Sequence, residues 1–146
     1  MKINLSKNQY MNLIKLINIG NWVINSIRNK DEIIKDFEEL EQHIYSYHTS
    51  ADYNGIEYDE NLKSFFPSEE LLSELEVYIQ DYDNEIFWNE LISRMVEKEL
   101  LENYTEEELE KMNDKEFYDK KFKLMDKYED EFEKYGIKRL KIDNKE

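Results

Sequence analysis

Cysteine is absent from this chain of 146 residues, which excludes a disulfide framework and any thiolate metal site. Proline occurs once, at Pro67, and glycine only at Gly20, Gly55 and Gly136. Glycines so far apart form no G-x-G-x-x-G turn and no phosphate-binding loop ending in Gly-Lys-Ser/Thr. No serine stands in a G-x-S-x-G elbow. The two histidines, His43 and His48, are five residues apart, and on a helix they diverge by roughly 140°. A zinc pair needs a spacing of three or four. Asp81, Asp83 and Glu85 imitate the start of a calcium loop, but Ile86 takes the glycine position and Ile92 the bidentate Glu position. No metal and no cofactor is expected.

Long apolar runs are missing too. Lys15, Asn18, Asn21 and Asn25 interrupt the most apolar stretch, so no membrane span is expected. Residues Met1–Leu5 lead straight into a polar helix start, without the apolar core of a signal peptide, and neither end carries a lipidation signal. The expected location is cytoplasmic. Alanine occurs once, at Ala51, beside abundant Lys, Ile, Asn and Tyr, a bias that AT-rich coding explains.

What remains is a chain rich in charge and in rings. Charged residues make up 38% and aromatics 14%, and 11 Tyr, 7 Phe and 2 Trp argue for a packed core against disorder. The length suits one domain, and no linker, repeat or low-complexity tract divides residues 1–146. Charge is distributed unevenly. Residues 1–30 hold five bases and no acid, whereas residues 31–110 hold 25 acids against four bases, a net of −21. Residues 111–146 are nearly balanced.

Periodicity predicts a mainly α fold of five or six helices. Ser6 and Gln9 form a capping box for a first helix reaching about Arg28, apolar enough to be central. Asn29 and Glu32 offer a second box, for a helix carrying Phe37, Leu40 and Ile44. Asn54-Gly55 has the composition of a hairpin turn, the alternative being an ordered acidic loop. Pro67-Ser68 opens a short helix, Asp83 is placed to cap the next, and Thr105 with Glu108 makes a third box. A last helix starts at Asn113 or Asp114 and ends at Gly136. Alternation at Met1–Leu5 and at residues 137–142 predicts a small two-stranded ribbon formed by the termini. Expected core residues are Leu13, Ile14, Ile17, Trp22, Phe37, Leu40, Ile44, Trp88, Leu91, Phe122 and Met125.

The succession Gly20-Asn21-Trp22-Val23-Ile24-Asn25, Tyr58-Asp59, Phe87-Trp88-x-Glu90-Leu91 and Phe132-Glu133-Lys134-Tyr135-Gly136-Ile137 resembles a group of small, acidic, helical proteins of low-GC bacteria and mobile elements. The resemblance spans most of the chain and implies no activity. In size and acidity the chain is also similar to phage anti-defence proteins, including anti-CRISPR inhibitors.

These features point to a non-catalytic protein-binding domain. A field this negative repels nucleic acid and anionic membrane and attracts basic surfaces. The expected partner is therefore a basic surface on a nucleic-acid-binding protein, which this chain blocks as a nucleic-acid mimic without binding nucleic acid itself. Candidate contact residues are Tyr53, Glu57, Tyr58, Asp59 and Glu60 in an acidic, Tyr-bearing loop, and Glu69, Glu70, Glu74, Glu76, Tyr78, Asp81, Tyr82 and Asp83 along the following helices. The alternatives are a metal-dependent enzyme using scattered carboxylates, or a housekeeping interaction domain whose acids only solvate it.

Overall fold

The computed structural model describes residues 2–141. It is mainly helical, with five α-helices and one two-stranded antiparallel ribbon among those residues. In chain order these are α1 (Lys7–Asn25), α2 (Lys35–Tyr45), β1 (Ile56–Asp59), β2 (Ser64–Pro67), α3 (Glu69–Asn103), α4 (Glu106–Lys111) and α5 (Asp114–Tyr135), followed by a 3-10 turn at Gly136–Arg139. The chain divides into two compact units, Met1–Asp81 and Tyr82–Glu146, with the division falling inside α3.

The first unit is built around Tyr45. Its ring is fully buried in a cluster with Tyr10, Ile14, Ile56, Leu71 and Leu75, to which α1, α2, β1 and α3 all contribute. Ser6 starts α1 with a complete capping box: its hydroxyl accepts from the Gln9 amide, and the Gln9 side chain accepts from the Ser6 amide. Only Tyr10 and Ile14 of α1 are buried, Leu16 and Val23 face solvent, and Ile27, which lies beyond the end of the helix at Asn25, is 85% exposed. The helix expected to be central instead covers the core from one side.

Residues 26–34 do not follow the pattern read from Asn29 and Glu32. Glu32 does accept from the Asn29 amide, but the turn closes without starting a helix. The side chain of Asn25 brackets Ile34, accepting from its N–H at 3.0 Å and donating to its carbonyl at 3.3 Å. That pairing keeps Ile34 extended, and α2 begins only after it.

The ribbon lies inside the chain, not at the termini. Strands β1 and β2 pair with Glu57 opposite Phe66 and Tyr58 opposite Phe65. Its turn is Glu60–Lys63, where Asp59 Oδ1 accepts from the amides of Asn61 and Leu62 and Lys63 takes a positive φ. Asn54-Gly55, read as a possible turn, precedes β1, and the Ser68 amide donates to the Gly55 carbonyl beyond the last strand pair. A Cβ on Gly55 would overlap the Tyr53 ring, which explains glycine there. Of the termini read as strands, residues 2–6 form none and residues 136–139 coil into the 3-10 turn. Arg139 folds that turn back onto α5, pairing with Glu131 at 3.1 Å and lying over the Tyr135 ring. Met1 and Ile142 lie outside the described residues.

Ser68 starts α3, its hydroxyl accepting from the Leu71 amide. Asp83 caps nothing: α3 continues through it because no Gly or Pro interrupts residues 69–103. In the second unit, Ile92, Val96 and Leu100 of α3 close a core with Phe132 of α5. Tyr128 and Trp88 flank Phe132, with ring centroids 5.9 Å and 5.8 Å away. Thr105 with Glu108 caps α4 reciprocally, Asn113 caps α5, and Gly136 ends α5 at φ 56°.

Of the expected core, only Ile14 is fully buried. Leu13, Ile17, Ile44, Trp88, Leu91 and Met125 are half-buried, and Trp22, Phe37, Leu40 and Phe122 are exposed. The reason is that α1, α2 and α5 each have a wider apolar arc than their neighbours cover.

Candidate partner-binding surface

The candidate acidic residues of the first unit lie on the ribbon, its turn and the first four turns of α3, apart from the acids of residues 31–41 and Asp52. At 100° per residue, the carboxylates of α3 form two rows and not one. Glu69 and Glu76 share one line, and Glu70 and Glu74 share another, roughly 130° round the helix. Leu71 and Leu75 face the core on the far side, so both rows border the outward face, with Ser73, Val77 and Gln80 between them. Glu69, Glu70 and Glu76 are exposed and free of ion pairs among the described residues, Glu76 accepting only the Gln80 amide. Glu74 is not free, since Lys15 of α1 pairs with it, and this hydrogen bond holds the Lys15 ammonium above its ordinary range.

On the ribbon, Glu57 and Glu60 are exposed and likewise without ion pairs among the described residues. Asp59 spends its carboxylate on the turn. Tyr58 is exposed and leans on Phe65 at 4.8 Å. Tyr78 and Asp81 are exposed on α3. Tyr53, by contrast, packs against the core, edge-on to Tyr10 at 6.5 Å. Tyr82 and Asp83 belong to the second unit, where both are exposed.

Two polar arrangements carried no sequence signal. Beside Tyr53, Lys7 pairs with Asp52 at 2.8 Å, which holds the Asp52 carboxyl below its usual value. Behind α2, Glu41 is partly buried and accepts from Tyr45 Oη, Asn21 and Asn18. Burial raises its carboxyl, and those three donors work in the opposite direction. Asn18 and Asn21, two of the three asparagines that interrupt the α1 apolar face, are therefore partners of this carboxylate. Nothing in local spacing could reveal that, because Glu41 lies 20 residues from Asn21.

Among the described residues, no three His, Asp or Glu side chains come together in a way that could hold a metal ion. No helix there is long and apolar enough to cross a membrane. Comparison of the chain with protein-family models, with curated proteins and with solved structures finds no match in any of the three.

Proposed function

We propose that the first unit is an acidic docking surface that covers a basic, nucleic-acid-binding patch on a larger protein in the cytoplasm, an inhibitor of the anti-defence type that does not itself bind nucleic acid. One observation carries the reading: Glu57, Glu60, Glu69, Glu70 and Glu76 are exposed carboxylates, none in an ion pair among the described residues. Self-repulsion of this kind destabilises a fold, and solubility requires much less charge. The corresponding gain is steering, since complementary charge speeds encounter with a basic groove by orders of magnitude at low salt. Tyr58 and Tyr78 stand among these acids as exposed rings suited to anchoring.

The test is competition. A partner captured from host extract is bound to its nucleic acid, and this protein is titrated in across a salt series. Displacement that weakens with salt is expected from the native chain. Joint reversal of Glu69, Glu70 and Glu76 to Lys should weaken it about 100-fold, the scale of losing several steering charges. Glu74 is left intact because Lys15 depends on it. Equal displacement by the reversed protein removes the acidic rows from the mechanism.

A further inference from the structure

In the second unit, a groove of about 370 Å³ runs between α3 and α5. Asn89, Ile92, Ser93 and Val96 form one wall, and Tyr118, Phe122 and Met125 part of the other. Tyr118 and Phe122 stack at 5.9 Å with their rings 25° apart, yet they stay 50% and 56% exposed. Lys121 and Glu129 also line the groove, and neither belongs to an ion pair among the described residues.

We infer that this groove is a self-association surface, and that its occupant is α5 of a second copy of this chain, packed antiparallel with Met125 on the two-fold axis. The argument is one of position. Lys121 lies four residues before Met125 and Glu129 four residues after it. Within one helix they are separated by roughly 12 Å along the axis and do not meet. In an antiparallel pair centred on Met125, each Lys121 lies opposite the partner's Glu129, so a single surface supplies both halves of two ion pairs. Closed two-fold association requires such self-complementarity. The same packing carries Tyr118 and Phe122 of each copy towards the α3 wall of the other. Two layers of helix do not enclose a core on all sides, and pairing of helical hairpins is a standard way to complete one.

Charge favours this face over the rest of the chain for meeting a second copy. Residues 31–110 carry a net −21 and repel one another between copies, but the stretch that forms the groove wall, residues 89–96, holds one acid and one base. Residues 114–135 carry eight acids and six bases, close to balance. The groove shares no residue with the acidic rows of the first unit, so the inference does not depend on the proposed function.

Charge exchange tests it by sedimentation equilibrium from about 1 μM to about 1 mM, the range in which modest interfaces dissociate. The native protein should pass from monomer to dimer. Lys121→Glu or Glu129→Lys alone sets like charges opposite each other twice and should weaken the dimer at least 10-fold. The two together restore opposite charges and should bring affinity back to within a few-fold of native. Phe122→Asp, at an exposed position, should leave a folded monomer by circular dichroism. A native protein monomeric throughout, single reversals without effect, or a double variant no better than the singles would each overturn the inference.

Discussion

The side-chain amide of Gln42 pairs with the backbone of Phe65 as another strand would, donating to its carbonyl and accepting from its N–H, both at 2.8 Å. It satisfies the outer edge of β2 and ties α2 to the ribbon. Gln42→Ala leaves both backbone groups of Phe65 without that partner and should cost about 2 kcal/mol. Amide hydrogen exchange at Phe65 should accelerate accordingly; unchanged exchange there would show that the bracket contributes nothing.

Within the first unit, substitutions that look alike in sequence meet contrasting surroundings. Ile14 is fully buried, so Ile14→Ala should cost about 2–4 kcal/mol through lost contacts and a cavity. Leu40, on an equally regular stripe, is 48% exposed, and Leu40→Ala should cost below about 1 kcal/mol. Urea unfolding read from Trp22 fluorescence, in a Trp88→Phe background, measures both. Equal losses would mean that Leu40 is covered in solution.

Glu41 should make the first unit more stable in acid than near neutrality. Its carboxyl is raised in the folded state, chiefly by burial, so its stabilising protonation is complete below the unfolded value of about 4.5 and is lost as pH rises through the higher folded value. Glu41→Gln removes this titration. Its urea midpoint should vary less with pH than the native one over the interval just above 4.5. Identical pH profiles would place Glu41 in water.

Glu99 has the opposite sign. Lys127 donates to it at 2.6 and 2.8 Å and Tyr128 Oη at 2.5 Å, and these bonds lower its carboxyl. The stability it lends is present above the unfolded carboxylate value and is lost as pH falls through the lowered folded one. Glu99→Gln should therefore flatten the acid limb of unfolding for the second unit and cost about 1 kcal/mol at neutral pH, the scale of a partly exposed pair. Tyr128 supplies an independent signal. Burial first, then Glu99, pushes its hydroxyl to about 12. Phenolate absorbance should show that ionisation moving down in Glu99→Gln, and a fixed value would separate the two groups.

The sequence by itself determined what four consecutive residues can decide. The reciprocal caps at Ser6–Gln9 and Thr105–Glu108, the Asn113 cap and the Gly136 stop are contacts across one turn, so their chemistry is legible from spacing. The helical class follows from apolar periodicity, and the exposure of Glu57, Glu69, Glu70 and Glu76 follows from the cost of burying charge. Tertiary structure decided everything that joins distant segments. It chose which side of each apolar stripe is covered, burying Tyr45 and Leu75 while leaving Trp22, Phe37 and Phe122 outside. It placed the ribbon at residues 56–67, delayed the start of α2 through Asn25, and engaged Glu74 with a lysine 59 residues away. A polar side chain has the same local pattern whether it meets water or a backbone amide 23 positions along, as Gln42 does, and only the folded chain brings that amide within reach.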